Sequence, residues 1–140
     1  MKTKVFIEIS TYGFSAYTEP NKLDYSCIGE GKTVQEAIAD FNDSYEEIKS
    51  YYLQEGLPFQ ETSFEFYYDV ASFLSEYCKA FSLAGLERIT GISQAQLGHF
   101  LHGRRKPSQK TIHKIQEGVE RFAGELTALK FARNDGKNRH

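Results

Sequence analysis

The chain has 140 residues, 40% of them hydrophobic and 14% aromatic, with 17 Lys plus Arg against 19 Asp plus Glu for a net charge of −2. That length carries one ordinary domain or two small ones with a buried core, and no stretch approaches the roughly 20 apolar residues of a membrane helix. The opening "MKTKVFIEIS" lacks the apolar run and cleavage site of a signal peptide, so a cytoplasmic protein with no membrane partner is expected. The near-neutral total hides an asymmetry. Residues 1–70 hold 5 Lys and no Arg against 13 acids, a net −8, whereas residues 71–140 hold 12 Lys plus Arg against 6 acids, a net +6. A basic half suits a polyanion such as nucleic acid; an acidic half is repelled by one and drawn to a basic protein.

"KVFIEIS" alternates Val5, Ile7 and Ile9 with polar residues, Phe6 standing on the outer face, which predicts a strand. "GFSAYT" and "LDYSCIGE" continue the pattern across the turn-forming "EPNK", most simply as an antiparallel meander. The period then changes: Thr33 and Glu36 form a capping-box pattern, and Val34, Ala37, Ile38, Phe41, Tyr45, Ile48 and Tyr52 recur at helical spacing. Glu55-Gly56-Leu57-Pro58 ends this helix, and "SFEFYYDV" restores alternation with Phe64, Phe66 and Tyr68 on one side. The order is β-β-β-α-β.

From Asp69, a plausible cap, strand patterns disappear. Val70, Phe73, Leu74 and Tyr77 mark one helix, "LAGLERIT" and "QAQLGHFLHG" two short ones around Gly91-Ile92-Ser93, and Ser108 caps a long one with Ile112, Ile115, Val119, Phe122 and Leu126 inward. The expected organisation is α+β: residues 1–69 an acidic β-β-β-α-β domain, 70–133 an all-α bundle, and 134–140 a disordered tail. Cys27 and Cys78 are isolated, matching neither a disulfide framework nor a zinc knuckle, and both are expected to be buried fillers.

Two short helices joined by a tight glycine turn are the pattern of a helix-turn-helix. Gly91 sits at the reversal, Leu86, Ile92, Leu97 and Phe100 fall where the helices share apolar contacts, and Ser93 with Gln96 is a second capping-box pattern. The first turns of such a second helix meet base edges, where glutamine pairs with adenine and a backbone amide holds a phosphate. Gln94, Gln96 and His99 are thus the candidate base readers, Ala95 is short enough for a thymine methyl, and Ser93 sits at the same end. Arg104, Arg105, Lys106 and Lys110 follow at a turn suited to phosphates. The segment "LERITGISQAQLGHFLHGRRKPSQKTIHKI" resembles the lambda-repressor/Cro-like (XRE-type) helix-turn-helix family. Glu87 departs from it, standing where a small residue is usual, and either splays the helices or turns outward to a base; Gly98 lies inside the second helix and costs it about 1 kcal/mol relative to alanine.

"GFSAYTEPNKLDYSCIGEGKTVQEAIADFNDSYEEIKSYY" resembles the HicB antitoxins, whose N-terminal domain is a truncated ribonuclease-H-like fold entered by a "G-x-T-x-x-E-A" helix start, matched by Gly31, Thr33, Glu36 and Ala37. The proline-aspartate-leucine-proline-glycine stretch common in that family is replaced here by "TEPNKLDYS". Together the resemblances imply a type II antitoxin that masks a small, basic HicA-like messenger-RNA-cleaving toxin and represses its own operon, acting as a homodimer or higher oligomer on operator DNA. The alternative is a DNA-binding repressor whose N-terminal domain senses a ligand or only dimerises. An enzyme is not expected. Two-metal nuclease chemistry needs converging carboxylates, whereas Glu8, Asp24, Glu30 and Glu65 fall at strand ends or outer faces, and Asp40, Asp43, Glu46 and Glu47 share one helix face. His99 and His102 have no further ligand at metal-site spacing, so no metal or cofactor is expected.

Overall fold

The computed structural model describes residues 1–134. The chain is α+β, with a four-stranded sheet and five helices among the described residues. Strands β1 (Lys2–Ser10), β2 (Gly13–Thr18) and β3 (Ile28–Gly31) form the expected antiparallel meander, and β4 (Ser63–Tyr68) joins the far side of β1 in parallel, giving the order β3-β2-β1-β4. The parallel pairing follows from the intervening helix α1 (Val34–Gln54), which carries the chain across one face of the sheet. Thr33 caps α1 by accepting from the Glu36 amide, and Gly56 at φ +66° closes it while the Leu57 amide donates to Tyr52 O at 2.9 Å.

Period-two and helical patterns converge on one apolar cluster. Val5, Ile7, Phe14 and Ala16 from the sheet meet Val34, Ala37 and Phe41 from α1, all buried, with Phe64, Phe66 and Tyr68 packed alongside. Phe6 stands on the opposite face of the sheet between Tyr17 and Tyr67, as its place in the alternation predicts.

The third strand is shorter than its sequence pattern suggests. Residues 20–26 leave the ladder, between a Glu19 amide that donates to Lys4 O and a Cys27 carbonyl that accepts from the Thr18 amide; they fold over an aromatic group in which Tyr25 stacks on Phe59 at 5.1 Å and meets Tyr52 edge-on. Gln60 fixes this path, accepting from the Asp24 amide through its side chain and from the Tyr25 hydroxyl through its backbone, each at 2.8 Å. Those bonds replace the ladder that "LDYS" would otherwise form.

Helices α2 (Val70–Tyr77), α3 (Leu83–Thr90), α4 (Gln94–Leu101) and α5 (Gln109–Ala128) surround a second cluster of Val70, Leu74, Leu86, Ile92, Leu97, Phe100 and Ile115. Asp69 joins the two clusters. One carboxylate oxygen caps α2 by accepting from the Ser72 amide at 2.7 Å, the other accepts from the Ile9 amide at 3.0 Å, and its own amide donates to Ile7 O. The buried Glu76 of α2 adds a second link by accepting from the Gln35 side chain of α1.

Two expectations of burial change. Cys78 is exposed just beyond α2, because that short helix ends before another element covers it; only Cys27 is buried. Ile112 and Leu126 of α5 are exposed as well, since α5 packs mainly on α3 and its apolar stripe outruns that partner. The tail expected at 134–140 lies, apart from Asn134, outside the described residues.

Burial pushes the Cys27 thiol up to about 11, with Asp40 adding to the shift, and its Sγ donates to Phe41 O. Iodoacetamide applied to the native chain at pH 8 should therefore alkylate Cys78 quickly and Cys27 only after unfolding, as peptide mass mapping would read.

Candidate nucleic-acid interface

Helices α3 and α4 are each eight residues long and are joined by residues 91–93. Gly91 takes φ +77°, a left-handed conformation that glycine adopts without the steric cost of a side chain, and its amide donates to Glu87 O at 2.7 Å. Thr90, buried beneath the turn, donates from its hydroxyl to Leu86 O at 2.7 Å and accepts from the Ile92 amide at 3.1 Å. Leu86, Ile92, Leu97 and Phe100 are all buried as their spacing predicts. The turn is thus fixed from both sides.

Ser93 caps α4 by accepting from the Gln96 amide at 3.2 Å, while its hydroxyl donates to Gln96 Oε1 at 3.3 Å. Gln94, Ala95 and Gln96 are exposed on the first turn, and His99 is half-buried one turn further on. Gly103, at φ +70°, closes α4: its amide donates to Phe100 O and the Arg104 amide donates to His99 O. This releases Arg104, Arg105 and Lys106 into an exposed loop, and Lys110 follows, exposed, in the first turn of α5 behind the Ser108 cap.

Glu87 is engaged by the next helix. Its Oε1 accepts from the Gln94 amide at 3.1 Å, so an acid on α3 caps the start of α4. A carboxylate there is favoured by the unpaired amides and by the helix dipole, worth about 0.3–1 kcal/mol. It also takes an amide that a phosphate would otherwise use. The role was visible only as an acid seven residues before Gln94, a separation that becomes a contact when the chain reverses at Gly91.

A Cβ on Gly98 would meet only Leu83 Cδ1, at 3.9 Å, which is ordinary contact. Gly98→Ala should therefore raise stability by about 0.5–1 kcal/mol through helix propensity, read as a higher urea midpoint.

Among the described residues no three His, Cys, Asp or Glu side chains come together as metal ligands. Glu8 accepts from the Tyr17 hydroxyl, a bond that, with burial, pushes the Tyr17 phenol up to about 12, and Asp40 accepts from the Glu30 amide at 2.9 Å. These acids serve the sheet and its join to α1. No helix among the described residues is long and apolar enough to cross a membrane. Family models, curated proteins and solved structures give no match to the chain.

Proposed function

We propose that this chain is an antitoxin of the HicAB type, built from a truncated ribonuclease-H-like domain over residues 1–69 and a helix-turn-helix domain over residues 70–133. The second part binds operator DNA and the first neutralises a small basic toxin. The observation that carries the DNA half is the construction of α4: a left-handed glycine turn and two caps present Gln94, Ala95 and Gln96 to solvent, and three consecutive cations follow at the helix end. Exposed amide side chains on a first turn are suited to base edges in a major groove, and flanking cations supply the salt-dependent affinity for the backbone. On this reading Ser93, Gln94, Ala95, Gln96 and His99 approach bases or adjacent phosphates, and Arg104, Arg105, Lys106 and Lys110 hold the backbone. Glu87 lowers the phosphate affinity of this helix end and so weights recognition towards the base contacts.

The neutralising half is supported by charge. A net −8 over residues 1–70 attracts a basic RNA-binding protein and competes with its RNA. Co-expression with a small basic protein encoded next to this gene tests it. Relief of the growth arrest caused by that protein, with co-purification of the two proteins, is the expected result. Arrest that this chain does not relieve would overturn the antitoxin reading.

A further inference from the structure

Two apolar features of this chain lack a cover, and each has the chemistry the other needs. The first is a hollow of about 610 Å³ between β4 and helices α2, α3 and α5, lined among others by Phe66, Tyr68, Phe73, Ile112, Val119 and Phe122. It runs beside an open sheet edge. The Ser63 amide donates to Met1 O and the Asp69 amide to Ile7 O, so the odd-numbered residues of β4 face β1. The backbone groups of Phe64, Phe66 and Tyr68 therefore point outward, where no fifth strand among the described residues pairs with them.

The second feature is the segment after α5, where Leu129 is 54% exposed and Phe131 87% exposed. These side chains sit two residues apart, as on one face of a strand, and Leu129 is already extended at φ −66° and ψ 134°. Neither a glycine nor a left-handed residue follows α5 up to Asn134, and residues 129–134 are all exposed, so within the described chain they cover no groove of their own. Charge agrees as well. Lys130 would alternate to the face of β4 that bears the exposed Glu65, a carboxylate that Lys2 also approaches at 3.9 Å.

We infer that residues 129–133 of one copy add as a strand to the β4 edge of a second copy, placing Leu129 and Phe131 in its apolar groove. Reciprocal exchange closes a two-fold dimer in which each groove is filled by the partner's arm. This dimer depends on neither the DNA nor the toxin reading.

Light scattering of the full chain across a concentration series tests it, using an arm variant (Leu129→Asp with Phe131→Asp) and a groove variant (Ile112→Glu). All three positions are exposed in the single chain, so both variants keep its circular dichroism. The natural chain should dimerise, and each variant should weaken dimerisation about 100-fold or more, since two buried anchors or their pocket are lost. Mixing the two variants should recover part of the dimerisation, because one of the two arm–groove contacts is then intact whereas neither variant alone has one. A natural chain that stays monomeric, including by covering its own groove, would overturn the exchange. So would an arm variant that dimerises within about threefold of the natural chain, or a mixture that fails to recover.

Discussion

Replacing Gly29 with alanine is expected to destabilise the chain by about 3 kcal/mol, a large part of the 5–15 kcal/mol that holds a typical domain. Gly29 lies in β3 opposite Ala16, where α1 crosses closest to the sheet. A Cβ there would overlap the Phe41 amide nitrogen and lie 2.5 Å from Ala37 O and 2.6 Å from Phe41 Cα. All three are backbone atoms of α1, so no rotamer change relieves the clash. Either the helix lifts from the sheet or β3 leaves it, and both expose the Phe41 side of the core. Alanine's smaller entropy loss on folding returns less than 1 kcal/mol. Urea unfolding checks this, with Gly124→Ala as the contrast: that helical position has nothing within 4 Å of a Cβ, and its substitution should be stabilising. A Gly29→Ala midpoint near that of the natural chain would contradict the close approach of α1 and β3.

The second large effect is on DNA. Changing Arg104, Arg105 and Lys106 together to alanine should weaken binding about 100-fold or more at 0.1 M salt, and lower the slope of log affinity against log salt by about 2.7. The three cations are exposed and contribute to neither apolar cluster, so thermal stability should hardly move. The loss should be similar on operator and unrelated DNA, because phosphate contacts carry no sequence information. An unchanged salt slope would show that this loop does not meet the backbone.

Much of this architecture can be read from residue patterns because it is local. Val5, Ile7 and Ile9 at period two, the α1 stripe from Val34 to Tyr52, and the caps at Thr33, Asp69, Ser93 and Ser108 each express one backbone conformation through near neighbours. What stayed hidden depends on residues far apart in sequence. Residues 20–26 leave the sheet because Gln60 and Phe59 hold Tyr25 from 34 or more positions away. Glu87 reaches Gln94 only because the chain reverses at Gly91, and Asp69 is anchored to Ile9 across the sheet as well as capping its own helix. Exposure of Ile112, Leu126 and Cys78 depends on how far a neighbouring element extends, which no periodicity records.

At the candidate interface the same division holds. The buried set Leu86, Ile92, Leu97 and Phe100 and the exposed Gln94, Ala95 and Gln96 follow from helical spacing. Half-burial of His99 and the carboxylate cap do not follow from it.

The most direct measurement is fluorescence anisotropy of the full chain at 0.15 M salt, on duplex DNA from upstream of its own gene and on a scrambled duplex of equal length. The natural chain should bind the upstream duplex at least about 1000-fold more tightly, and Gln94→Ala with His99→Ala should remove most of that preference while the fold stays intact. Equal, weak binding to both duplexes, or a preference untouched by the double substitution, would contradict the assignment of α4 as the helix that reads DNA.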